Sequence, residues 1–130
     1  MSAPLEKLFT GYGTLEGPLW DDKHGLLFAD ATMGGVHALG SDGSVREVVR
    51  HRRGIGGLAL HADGAIVIGG RNVAIKRDIA EGDNPTIVLL DNDPSKDIVG
   101  FNDLAVDHAG RIYVGSLASV SATSRSEDIP

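Results

Sequence analysis

Short apolar runs separated by polar, glycine-bearing turns fill most of the chain, and the runs read as strands. Leu26 to Ala29, Val36 to Leu39 and Val45 to Val49 follow one another, with Ser41-Asp42-Gly43 as a hairpin signal before the last. The pattern restarts at Gly57 with Leu58-Ala59-Leu60, the turn His61-Ala62-Asp63-Gly64, and then Ala65 to Ile68. Asn72 to Lys76 and Thr86 to Leu90 supply two more strands. A third start spans Gly100 to Ser116. There Leu104-Ala105-Val106 passes through the turn Asp107-His108-Ala109-Gly110 into Arg111 to Gly115. No amphipathic helix of several turns is visible.

Side by side, the three starts are GPLWDDKHGLLFAD, GLALHADGAIVIGG and DLAVDHAGRIYVGS. Their turn glycines, Gly25, Gly64 and Gly110, lie 39 and 46 residues apart. Repeats of roughly 40 to 50 residues with four strands each mark propeller blades. An antiparallel sandwich of similar hairpins is the alternative; the regular spacing favours the propeller. The expected fold class is all-β, a β-propeller of four-stranded antiparallel blades. Blade 1 is expected over about 14–50, blade 2 over about 55–91 and the start of blade 3 over about 100–118. Glu6 to Thr10, within 1–13, reads as a short strand able to close a ring. The tail LASVSATSRSEDIP offers at most one weak strand. Trp20 and Phe28 fall in the strand pattern and are expected in the core.

Composition narrows the function classes. The chain has 130 residues, a usual size for one domain, and a formal charge of -6 that argues against a nucleic-acid partner. The absence of cysteine excludes disulfides, thiolate zinc sites and a Cys nucleophile. The N-terminus lacks the apolar core of a signal peptide and no run reaches membrane-spanning length. A cytoplasmic protein with no membrane partner is therefore expected.

Several motifs fail on their context. Asp91 to Asp97 resembles the start of a calcium loop, but its sixth and twelfth positions are Lys96 and Asn102 rather than Gly and Glu. Gly54-Ile55-Gly56-Gly57 resembles a phosphate loop, yet a strand follows it instead of a helix. Arg46, Arg50, His51, Arg52 and Arg53 read as an outer strand and its turn. No paired-histidine metal spacing and no G-x-S-x-G elbow is present.

The stretches EGPLWDDKHGLLFAD and GFNDLAVDHAGRIYVGS resemble the gluconolactonase, regucalcin and luciferin-regenerating-enzyme family, in register over nearly the whole chain. The resemblance implies a six-bladed propeller with one divalent metal ion (Ca, Zn, Mn or Mg) in its central channel, and hydrolysis of a sugar lactone. It implies that this chain is the N-terminal part, about two and a half blades. Glu16 falls on a family metal ligand, and Asn102 on a residue that contacts substrate. Asp103 belongs to the same motif with a supporting role, and Asp30 is a possible second supporting residue, better explained by a turn. The remaining ligands, an Asn and an Asp that is also the general base, are implied beyond Pro130, so no catalytic residue is assigned here. Gly100 stands where some members carry a substrate-binding Arg, which leaves the lactone open.

The chemistry of these residues agrees with that assignment. Glu16 offers a carboxylate and Asn102 an amide oxygen with an NH2 donor, and hard divalent cations prefer oxygen ligands. Inner-strand starts converge on a propeller axis, so residues 86 positions apart can share one pocket. One carboxylate and one amide make a weak site, so little or no hydrolysis by this chain alone is expected. Open blade edges predict self-association. The alternative function is a non-catalytic propeller that presents a surface to partner proteins.

Overall fold

The computed structural model describes residues 2–79 and 85–118, which form ten strands and one short 3-10 turn. Strands β1 (Leu15–Asp21), β2 (Gly25–Asp30), β3 (Val36–Leu39) and β4 (Val45–Val49) make one four-stranded sheet in chain order. Strands β5 (Gly57–Leu60), β6 (Ile66–Gly69), β7 (Val73–Lys76) and β8 (Ile87–Leu90) make the second. Strands β9 (Gly100–Val106) and β10 (Ile112–Leu117) form a two-stranded third. Every neighbouring pair is antiparallel. The first strands of the three sheets are neighbours, β1 against β5 and β5 against β9. Meanders that meet through their first strands make a partial β-propeller.

The turns that join first and second strands follow from sequence. Gly25, Gly64 and Gly110 all have positive φ, at 86°, 88° and 78°, which only glycine adopts cheaply. A Cβ at Gly25 would also lie 2.2 Å from the Leu39 carbonyl oxygen, so that turn is closed to other residues.

Alternation along the strands builds two cores. On the second sheet, Leu58, Ile66 and Ile68 face the first sheet and pack with Leu27, Val36 and Val48. Ala59, Val67, Val73 and Ile75 point the other way and pack with Phe101 and Leu104 of the third. The period of two thus places apolar residues on both faces of the middle sheet. Polar ties cross the first interface as well. Lys76, 2% exposed, donates from Nζ to the Val48 carbonyl at 2.7 Å. Arg46 donates to the Ile79 carbonyl at 3.1 Å. Arg52 Nη2 donates to both the carbonyl and the side-chain oxygen of Asn72, at 2.9 and 2.6 Å.

One sequence expectation is corrected, at Trp20. Glu6 to Thr10 makes no ladder with the described strands, and the ring-closing strand expected there would pair with a later blade outside these residues. The segment is instead held by rings: Phe9 stacks on Phe28 at 4.6 Å, and Tyr12 meets Phe28 edge-on at 5.3 Å and His37 at 5.1 Å. Aromatic packing thus holds the segment on the face of the first sheet that turns away from the second. Phe28 is buried as expected, but Trp20 is 65% exposed. Leu19 takes the core-facing position in β1, so alternation sends Trp20 to the opposite face, and its indole N–H is satisfied by Asp22 Oδ1 at 2.8 Å. The weak strand expected in the tail lies, from residue 119 on, outside the described residues. Among the described residues no helix is long and apolar enough to cross a membrane.

Candidate functional site

The inner strands of the first and third sheets share an irregularity. In β1, Glu16 pairs with Ala29 and Leu19 with Leu27, so Gly17 and Pro18 together oppose Phe28 alone. In β9, Leu104 pairs with Val114 and Phe101 with Ser116, so Asn102 and Asp103 together oppose Gly115. Each is a β-bulge, which bends the strand and re-aims the side chains around it. The first is legible: Gly17 has φ +57°, and Pro18 lacks the N–H a regular ladder would require. The second has no such marker.

Glu16 and Asn102 line one cleft of about 470 Å³, together with Gly17, Pro18, Gly56 and Asp103. Both side chains are exposed to solvent. Asp103 also lines the cleft, and its Oδ1 accepts the Leu104 N–H at 2.9 Å, so part of its role is to hold the bulge.

The seat of Asn102 is made by glycines of the second sheet. A Cβ at Gly69 would lie 2.6 Å from the Asn102 carbonyl oxygen, and one at Gly57 would lie 2.8 Å from the Asp103 Cα and 2.7 Å from the Leu104 nitrogen. The Phe101 N–H is donated to the Gly70 carbonyl at 2.6 Å. Bare backbone in the second sheet therefore lets β9 approach closely and carries Asn102 to the cleft. Sequence reasoning weighed Gly56-Gly57 only as a phosphate loop. The usable signal was a glycine pair directly before a buried strand, which marks close approach of another backbone. Gly100 sits under this contact, with a Cβ position 3.2 Å from the Gly70 carbonyl oxygen.

Asp30 lies outside the cleft lining. Its carboxylate is fully buried and accepts the N–H groups of Gly13 at 2.7 Å, Met33 at 2.9 Å and Thr32 at 3.1 Å. Burial opposes its ionisation, but the three donors, with His37 nearby, outweigh it and hold the carboxyl below the usual carboxylate range. Asp30 thus ties the N-terminal segment and the turn after β2 to the first sheet. The loop Asp91 to Asp97 holds a 3-10 turn at Pro94–Lys96, with Lys96 paired to Asp93 at 2.8 Å.

A hard divalent cation would find oxygen donors at Glu16 and Asn102, the donor type it prefers. Among the described residues no three His, Asp or Glu side chains come together, so these two residues fit part of a coordination sphere rather than a whole one.

Comparison with known proteins gives the family. The family described as SMP-30/Gluconolactonase/LRE-like region matches residues 14–127. No curated protein sequence matches. Among solved structures, the gluconolactonase XC5397 from Xanthomonas campestris is similar with a TM-score of 0.71 and 22% identity, over 82% of this chain and 36% of that one. A candidate gluconolactonase, structural-genomics target DrR130, is similar with a TM-score of 0.69 and 19% identity, over 84% of this chain and 38% of that one. At these identities the two structures speak to the fold. The chain spans well under half the length of either. The family match over residues 14–127 places the chain in the SMP-30/gluconolactonase/LRE-like family.

Proposed function

We propose that the protein to which this chain belongs hydrolyses sugar lactones with the help of a divalent metal ion, and that this chain contributes Glu16 and Asn102 to its site. The observation that carries the reading is the meeting of these two residues in one cleft from strands 86 positions apart. In lactone hydrolysis a water adds to the ring carbonyl, the ring C–O bond breaks and an aldonic acid is released. A divalent cation, when bound, polarises such a carbonyl and acidifies a water.

Glu16 supplies a carboxylate oxygen to hold the cation. Asn102 turns an amide toward the cleft, where its NH2 donates to a substrate oxygen and its carbonyl accepts a hydroxyl proton. Asp103 supports the bulge that presents Asn102. The general base and the other cation ligands are assigned to sequence beyond these 130 residues, in keeping with the share of the solved relatives that the chain spans. On this reading the 130-residue chain alone binds the cation weakly and turns over lactone slowly or not at all.

The test is hydrolysis of D-glucono-1,5-lactone by the longer protein with and without Ca, Zn, Mn or Mg, beside Glu16→Ala. Activity that needs a metal and falls at least about a hundredfold in the variant is expected. Equal, metal-independent rates in both would remove Glu16 from the mechanism. No turnover under any condition would favour a non-catalytic binding module.

A further inference from the structure

The glycines around Asn102 do different work, and one acts on the side chain itself. A Cβ at Gly56 would lie 2.2 Å from Asn102 Oδ1, far inside van der Waals contact, and tightly against the Asn102 Cα at 3.1 Å and Cγ at 3.2 Å. The φ of Gly56 is not in the left-handed region, so its backbone would accept an ordinary L residue. Its N–H is already used in a regular way, donated to the Gly69 carbonyl at 3.0 Å. The severe conflict is therefore with the amide of Asn102; the one with its backbone Cα is relieved by a shift of a few tenths of an ångström. Gly57 differs: the atoms its Cβ would strike belong to the backbone of β9.

We infer that Gly56 is a positioning residue for the Asn102 amide: the missing side chain leaves the amide its seat in the cleft that Glu16 also lines. Any larger residue at 56 turns the amide out of that seat and changes what the cleft recognises. The part of this inference that concerns substrate rests on the lactonase reading; the part that concerns the amide does not. The amide is the far end of a flexible side chain, so it gives way before the fold does.

Two measurements separate the claims. In the first, the side-chain NH2 signals of Asn102 are followed by NMR in the parent and in Gly56→Ala, with Gly57→Ala as a comparator for backbone disturbance. Displaced Asn102 side-chain signals with a retained melting transition in Gly56→Ala are expected. Unmoved signals, or loss of the fold, would overturn the inference. In the second, hydrolysis of D-glucono-1,5-lactone with a divalent metal is compared in the longer protein for the parent, Gly56→Ala, Asn102→Ala and the double variant. Gly56→Ala should raise KM about tenfold with kcat within about twofold, and the double variant should be no worse than Asn102→Ala. Effects that add in the double variant would show that Gly56 acts independently of Asn102 and would overturn the inference. If the longer protein hydrolyses no lactone, the lactonase reading fails while the NMR comparison still decides the role of Gly56.

Discussion

Lys76 of the second sheet places its ammonium on the Val48 carbonyl of the first, 2.7 Å away, with both residues buried. The reason lies in the register of β4. Val36 pairs with Val49 and His37 with Glu47, so Val48 is the extra residue of a bulge. Lys76 supplies to that carbonyl a donor from a neighbouring sheet, and its aliphatic stem shares the interface with Ile66 and Ile68.

Lys76→Met keeps the stem and removes the donor. It should cost about 1–3 kcal/mol, the range for leaving a buried polar group unsatisfied. Equilibrium unfolding in urea checks this; a variant as stable as the parent would show that the bulge carbonyl needs no partner.

Arg52 and Asn72 should behave as a coupled pair. Arg52→Ala and Asn72→Ala each lose the side-chain contact at 2.6 Å, and each should cost about 1–2 kcal/mol. The double variant should cost less than the sum of the two. Strict additivity would mean that the contact contributes nothing.

Asp30 gives a pH dependence with a defined sign. Its native pKa lies below its ordinary value, so its ionised form stabilises the fold at neutral pH. That contribution is present above the unfolded pKa of about 3.9 and is lost as pH falls through the lower native value. Asp30→Asn should melt several degrees below the parent at pH 7, and the gap should close below about pH 4. A gap that stays constant with pH would mean that the charge of Asp30 plays no part.

The aromatic anchor of the N-terminal segment is open to proteolysis. Phe9→Ala removes the ring stacked on Phe28 and should loosen residues 2–13 while the sheets persist. Faster cleavage within that segment, with an unchanged main melting transition, is expected. Unchanged cleavage would place the anchor elsewhere, at Tyr12 or at the Gly13 contact with Asp30.

What could be read from the sequence was whatever has a local cause. The three turn glycines showed themselves because a positive φ at Gly25, Gly64 and Gly110 excludes most other residues. The bulge at Gly17-Pro18 carried its own markers, but the one at Asn102-Asp103 did not, because an extra residue in a strand leaves no compositional trace. Trp20 was misread because both faces of the first sheet are apolar, so alternation alone does not say which face is covered. The fit of Asn102 against Gly56, Gly57 and Gly69 joins residues far apart in the chain, and it became visible only once β9 lay beside β5.

The middle sheet is packed against another sheet on each of its faces, against the first through Ile66 and Ile68 and against the third through Val67 and Ile75. Opening it requires parting two interfaces at once. Its central amides, at Ile66 to Ile68, should therefore exchange with deuterium only when the whole assembly opens. Those of β8, whose four residues are all exposed, should exchange far sooner. Within these 130 residues, resistance to opening would then be greatest in the middle sheet.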